Sequence, residues 1–142
     1  MAVPGTRASA ELKDKDGKTI GTATLREQSG GVLLLVRVEP KGLTPGLDAV
    51  HIHAVGKCDA PGFTSAAGHF NPSGEKHGFK NAEGAHAGDM PNKLVTKDGS
   101  GRLEVLTDGS ALVIHVRVDD DVTDPTGNAG DRAACGLIVA SN

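Results

Sequence analysis

Apolar and polar residues alternate along most of this chain instead of recurring every three or four positions. From Arg7 to Lys13 (RASAELK) the pattern sets Ala8, Ala10 and Leu12 on one face and polar residues on the other, the period-two mark of a half-buried strand. Lys15-Asp-Gly-Lys18 makes a turn, Thr19 to Arg26 alternates again, and Gln28-Ser-Gly-Gly31 turns the chain into Val32 to Val38. Glu39 to Gly46, with its prolines and glycines, is a connection, and Leu47 to Ala54 is a fourth strand. Lys93 to Thr96 and Arg102 to Thr107 read as short strands separated by Lys97-Asp-Gly-Ser-Gly101, and Ala111 to Val118 and Ala133 to Ala140 complete eight. No segment has amphipathic helix spacing, so the class is all-β, a sandwich or barrel.

A length of 142 residues fits one domain over 1–142 with a hydrophobic core. Aromatic content is 2%, with no Trp or Tyr, so that core is built from Val, Leu, Ile and Ala. Phe63, Phe70 and Phe79 all lie among histidines and read as plugs that pin a long loop to the body of the domain. The net charge of −3 and the scattered Lys and Arg give no reason to expect nucleic acid or an acidic membrane as partner. The longest apolar run, Val32 to Val36, is too short to span a bilayer, and the first ten residues lack a signal-peptide pattern. The chain therefore reads as soluble, or as a mature form whose signal has been removed. Cys58 and Cys135 allow one disulfide, two buried thiols, or a thiol ligand to a metal. A bridge would add about 4 kcal/mol by closing a long loop and would imply an oxidising compartment.

The histidines carry the chemistry. His51 and His53 stand two apart on a strand, so both rings project from one face and converge on one point. Alone, a His-x-His pair is weak. His69, His77, His86 and Asp89 are stronger, because a glycine-rich stretch with no core of its own needs something to order it. A tetrahedral site of three histidines and one aspartate supplies that order and suits zinc. The remaining histidines, with His115 arriving from a distant strand, suit a copper ion that prefers nitrogen ligands.

These segments resemble the copper/zinc superoxide dismutases of bacterial envelopes. The resemblance is carried by HIHAVGKCDAPGFTSAAGHFNP (51–72), KHGF (76–79), GAHAGDMPN (84–92), SALVIHVRVDD (110–120) and GNAGDRAACG (127–136). It implies an eight-stranded antiparallel Greek-key barrel with a long metal-binding loop, and a periplasmic or secreted location. It implies copper held by His51, His53, His69 and His115, and zinc held by His69, His77, His86 and Asp89, with His69 shared. Six histidines and one aspartate make two four-ligand sites only if one residue serves both. By the same resemblance Cys58 bonds to Cys135, Arg132 guides superoxide to copper, Thr126 narrows the channel, and Asp119 links His51 to His77. The implied reaction converts superoxide to dioxygen and hydrogen peroxide as copper cycles between Cu(II) and Cu(I) beside zinc, with His69 carrying a proton. With net charge −3, capture of a small anion relies on local field from the metals, Arg132 and Arg117. The sequence permits a homodimer without anchoring one.

Departures from the family pattern give further expectations. Ala49-Val50 replaces a Gly-Phe pair before the His-x-His, and Asp48 stands where a histidine is common. Val116-Arg117-Val118 replaces a Gly/Pro-bearing segment and is expected to prolong its strand. The connection Thr107-Asp-Gly-Ser110 is short, and its Asp-Gly favours a tight hairpin between neighbours, whereas the Greek key has to carry the chain across the barrel there. Either Arg102 to Thr107 is partly loop or the topology is locally trimmed. The competing functional class is a dismutase-like protein that binds copper and zinc without catalysis; a zinc-stabilised domain used for assembly would have no need of His51, His53 and His115.

Overall fold

In the first hairpin the alternation becomes pleat. The structure, a computed structural model, describes residues 7–28, 31–38, 43, 45–90, 92–95, 101–107 and 111–141. Its strands are β1 (Arg7–Asp14), β2 (Thr19–Gln28), β3 (Gly31–Val38), β4 (Gly46–Asp48), β5 (Val50–His53), β6 (Lys93–Val95), β7 (Gly101–Thr107), β8 (Ala111–His115), β9 (Arg132–Leu137) and β10 (Val139–Ser141). β1 and β2 pair antiparallel from Arg7 opposite Arg26 to Lys13 opposite Thr19. Ala10, Leu12, Ile20, Ala23 and Leu25 are buried on one face while Ser9, Glu11, Thr22 and Thr24 stay exposed. Asp14 closes the turn, its Oδ1 accepting the N–H groups of Asp16 and Lys18, each at 2.9 Å.

All these strands join one sheet in the order β4-β6-β7-β3-β2-β1-β9-β8-β5, with β10 against β1. The two ends of that order, β4 and β5, are consecutive in the chain and separated by Ala49 alone. Ala49 donates its N–H to the carbonyl of Arg117 at 2.8 Å and accepts the N–H of His115 at 2.9 Å, so the sheet curls until its edges meet. Leu12, Ile20, Leu25, Val50, Ile52, Met90, Leu112 and Ile114 fill the interior. β8 is buried on both faces because Phe63 and Ala66 pack over its outward-facing Ala111 and Val113, beside Cys135 of β9. That covering comes from the long connection between β5 and β6, whose only regular element among the described residues is a 3-10 turn at Thr64–Ala66.

The all-β antiparallel class stands, with differences in detail. The expected fourth strand is broken at Ala49, and the last begins at Arg132 and is broken at Ile138, so ten strands replace eight. β8 ends at His115; Val116 to Val118 do not prolong it, because Val116 and Arg117 donate instead to the carbonyls of Asp131 and Ala129. β7 pairs with β3 and β6, while β8 pairs with β5 and β9. No hairpin joins β7 to β8, so the chain crosses despite the short connection, whose residues 108–110 lie outside the described residues. Residues 29–30, within the expected turn Gln28 to Gly31, lie outside them too, as do most of 39–46 and 96–100. Phe63 is buried and Phe70 packs on the core, as plugs should, but Phe79 is 57% exposed and plugs nothing. Its neighbour Gly78 is the residue that packs there, against the backbone of Asp121 and Val122 with no room for a side chain.

Candidate metal centre

His51 and His53 project from the outer face of β5, opposite Val50 and Ile52, which enter the core. Loop backbone then pairs with this strand. Phe70 donates to the carbonyl of Ile52 and Ile52 to that of Gly88, both at 2.8 Å, which sets His69 opposite His53 and Asp89 opposite His51. A Cβ on Gly88 would fall 2.2 Å from the Ile52 carbonyl oxygen, so only glycine allows this approach. His115, the last residue of β8, faces Arg132 across β9.

In this way His51, His53, His69 and His115, all buried, bring ring nitrogens within 4.8 Å of one another. Outward-facing nitrogens are held: His53 Nδ1 lies 2.7 Å from the Ala67 carbonyl, His115 Nδ1 3.0 Å from that of Gly130, and His51 Nε2 2.5 Å from Asp119 Oδ2. The inward-facing set, His51 Nδ1, His53 Nε2, His69 Nε2 and His115 Nε2, is buried without a hydrogen-bond partner. Each bare buried acceptor costs about 1–3 kcal/mol. Four lone pairs converging on one point fit a nitrogen-preferring cation such as copper.

A second cluster lies on the other side of His69. Its Nδ1 is 3.1 Å from His86 Nδ1 and 2.9 Å from Asp89 Oδ1, which is also 2.9 Å from His77 Nδ1 and 3.3 Å from His86 Nδ1. Ligands at about 2.0–2.1 Å around a tetrahedral zinc stand about 3.3 Å apart, close to these edges. His77 Nδ1 is buried and makes no hydrogen bond despite its closeness to Asp89, as a metal ligand would be. Asp89 is aimed by its other oxygen, which accepts the N–H of Gly78 at 2.9 Å and of His86 at 3.0 Å. His51 also falls within 4.8 Å of His69, His77 and Asp89. Its Nε2, however, is engaged by Asp119, so His86 is the better fourth member.

Asp119 joins the clusters, Oδ2 to His51 Nε2 and Oδ1 to His77 Nε2 at 2.8 Å. Asn92 clamps its backbone, donating to the Asp119 carbonyl at 2.9 Å and accepting its N–H at 2.7 Å. Arg132 donates Nη1 to the Phe63 carbonyl and Nη2 to that of Ala67, both at 2.7 Å, so it shares with His53 the carbonyl that orients that ring. Thr126 is half-buried in the turn leading into Gly127. Cys58 and Cys135 form a disulfide with Cα atoms 5.7 Å apart.

Electrostatics follow burial. Desolvation lowers His53 to about 2, His115 to about 3 and His69 to about 4, the last against the pull of Asp89, so these rings are neutral and available as ligands. For His77 burial also acts downward, but carboxylates of Asp119 and Asp89 on its two nitrogens raise it to about 9. Burial would raise Asp89 and Asp119, yet the hydrogen bond of His69 to Asp89 and those of His51 and His77 to Asp119 help hold both well below the usual carboxylate range.

The structure brings together all the expected histidines and Asp89, Asp119 and Arg132. The carbonyls of Ala67 and Gly130, the clamp of Asn92 and the close fit of Gly127 were not anticipated. Carbonyls leave no trace in residue type, and Asn92 stands between Pro91 and Lys93, 27 residues from Asp119 in the chain, so nothing local in the sequence points to its role.

A family model described as copper/zinc superoxide dismutase (SODC) matches residues 19–138. A Cu-Zn superoxide dismutase of Aquifex aeolicus (strain VF5) is 46% identical, the match covering 93% of this chain and 86% of that protein. Among solved structures, a SOD-like protein from Bacillus subtilis matches with TM-score 0.84 at 33% identity, covering 91% of this chain and 96% of that one. The Cu/Zn superoxide dismutase from Brucella abortus matches with TM-score 0.77 at 26% identity, covering 92% and 98% respectively.

Proposed function

This chain belongs to the copper/zinc superoxide dismutase family, and from that premise we propose that it converts two superoxide ions and two protons to dioxygen and hydrogen peroxide. The observation that carries the reading is the set of four buried, unpartnered nitrogens of His51, His53, His69 and His115 with the Arg132 guanidinium beside them. In this reading those four hold copper, and His69, His77, His86 and Asp89 hold zinc. Copper, when bound, supplies reversible one-electron redox chemistry, and zinc a fixed positive charge without redox chemistry.

The protein's own groups do the rest. Arg132 draws the anion in, its planar fork held in place by the carbonyls of Phe63 and Ala67. Thr126 narrows the approach. One superoxide gives up an electron and leaves as dioxygen. A second gains an electron and two protons and leaves as hydrogen peroxide. His69 Nε2 would hold one of those protons, taken from solvent, only between the two halves, when that nitrogen is released from copper, while its Nδ1 stays in the zinc cluster and keeps the ring in place; solvent supplies the second proton directly. Asp119 fixes the rings of His51 and His77, coupling the two sites. The Cys58–Cys135 bond supports an oxidising compartment for this protein, and in this reading that compartment is periplasmic or extracellular. A non-catalytic dismutase-like role would not require this complete ligand set together with an oriented Arg132.

Metal analysis of three proteins tests the reading. Wild type is expected to bind equimolar copper and zinc and to consume superoxide, His69→Ala to be impaired in both metals, and His86→Ala chiefly to lose zinc. Full, native-like occupancy of both sites in His69→Ala would falsify the shared ligand, and a fully metallated wild type without dismutase activity would overturn the enzymatic reading.

A further inference from the structure

A histidine that ligates through one nitrogen is oriented by whatever accepts the proton on the other. That accounting closes for five of the six histidines. His51 and His77 are held by Asp119, His53 by the Ala67 carbonyl and His115 by that of Gly130, while His69 turns a nitrogen to each cluster. His86 remains. Its Nδ1 stands in the second cluster, and its Nε2 faces Asp124, 3.7 Å from Oδ1. The same oxygen accepts the backbone N–H of His77 at 2.8 Å.

We infer that Asp124 is a positioning residue of the zinc site, orienting the ring of His86 through Nε2 and the backbone of His77 through its N–H. The inference rests on the metal assignment proposed above. It means that the loop following His115 supplies a carboxylate from each of two positions: Asp119 reaches the rings of His51 and His77, and Asp124 reaches the zinc loop from the far side. The separation of 3.7 Å exceeds a direct hydrogen bond, and the Asp124 side chain is 50% exposed, so the carboxylate acts on Nε2 electrostatically, as the negative group that this end of the ring faces. The other carboxylates of the loop are engaged differently. Asp120 is consumed locally, accepting from the N–H groups of Val122 and Thr123 and from the Thr123 hydroxyl. Asp121 lies near Lys80, 3.8 Å from its Nζ. Asp124 alone of the three meets two zinc-loop histidines.

Zinc release from the copper- and zinc-loaded protein to a chromogenic chelator tests the inference, with Asp124→Asn, Asp124→Ala, Asp120→Asn and His86→Ala compared at matched copper content. Asp124→Ala is expected to bind zinc about 10- to 100-fold more weakly, the range for loss of a carboxylate behind a ligating histidine. Asp124→Asn should fall between it and wild type, because the amide oxygen still accepts the His77 N–H but carries no charge. Asp120→Asn should release zinc as wild type does. Cobalt(II) placed in the zinc site gives a readout that a merely structural role would not move: its visible spectrum should shift in both Asp124 variants as the His86 ring reorients. Asp124→Asn keeps shape and decides the matter should Asp124→Ala not fold. Wild-type zinc release and superimposable cobalt spectra in Asp124→Asn, with zinc lost from His86→Ala, would overturn the role of Asp124 alone. Zinc retained in full by His86→Ala would overturn the metal assignment and this inference with it.

Discussion

At the scale of single residues the centre depends on which groups are charged. Burial lowers the pKa of Arg132, yet the guanidinium is satisfied by two carbonyls and stays cationic beside the neutral rings of His53 and His115. Arg132→Ala is expected to keep both metals and lower the superoxide rate about tenfold or more, with a flatter salt dependence, since steering beyond roughly 8 Å is screened at physiological ionic strength. Lysine at that position should restore part of the rate, because it brings the charge without the fork. Rates at several ionic strengths and equal copper occupancy check this; identical rates and salt slopes would remove Arg132 from the site. Protons compete with folding here as well. In protein stripped of metal, the lowered pKa values of His53, His115 and His69 make their contribution complete above the unfolded value of about 6.5 and lost as pH falls through about 4 to about 2. His77, raised to about 9, contributes fully below about 6.5 and loses that contribution as pH rises through about 9. Melting temperature of the stripped protein should therefore peak near about pH 6.5, and the alkaline decline should vanish once zinc occupies His77 Nδ1. Calorimetry of both forms across that range checks the sign; a stripped protein whose melting temperature rises steadily past about pH 9 contradicts it.

At the scale of elements, the loops carry the site and the strands aim it. β5 directs His51 and His53 outward, but the segments that return to pair with it, through Gly68, Phe70 and Gly88, decide where His69 and Asp89 stand. The loop after β8 does the same from the other side. Gly127, at φ +66°, lies so close to the Asp119 carboxylate that a Cβ would fall 2.0 Å from Oδ1 and 2.7 Å from His77 Nε2. Gly127→Ala is expected to cost at least about 2 kcal/mol through backbone strain and displacement of Asp119. Both metals should bind more weakly, because Asp119 serves both clusters. Denaturant melts and metal content read the effect, and a variant with wild-type values for both would show that Asp119 has room to move.

At the scale of the whole molecule, a sheet closed through Ala49 and a disulfide hold the two faces of the centre together. The Cys58–Cys135 bond fastens the loop containing the Phe63 and Ala67 carbonyls to β9, which begins with Arg132, across 77 residues of chain. Replacing both cysteines by serine should cost up to about 4 kcal/mol by releasing chain entropy in the unfolded state. The superoxide rate should also fall at equal metal content, since the carbonyls that orient Arg132 would be free to shift. Equilibrium unfolding and rate measurements separate these effects; an unchanged rate would confine the bond to stability. The Greek-key crossing between β7 and β8 is likewise a property of the whole, because it sets β8 and its His115 beside β5 on the far side of the sheet from β3.

Much of this was legible in residue order. Alternation in β1 and β2 showed the half-buried strands, since a pleat sends successive side chains to opposite faces, and His51 and His53 had to share a face for the same reason. The family resemblance singled out the residues that meet in the two clusters. What sequence could not decide were matters of return and register. An Asp-Gly turn suggested a hairpin where the chain instead crosses, because local turn preference is weaker than the pairing of β7 with β3 and of β8 with β9. Val116 to Val118 look like strand, yet they bend away to bond the backbone at Asp131 and Ala129. Phe79 looked like a plug and is exposed. The carbonyls of Ala67 and Gly130, and the carboxylate of Asp124, acquire their roles only when distant segments come within hydrogen-bond or charge contact of a ring nitrogen. Residue type determined which groups could bind a metal; tertiary contact decided which nitrogen each histidine presents, because that depends on what accepts the proton from the other side of the ring.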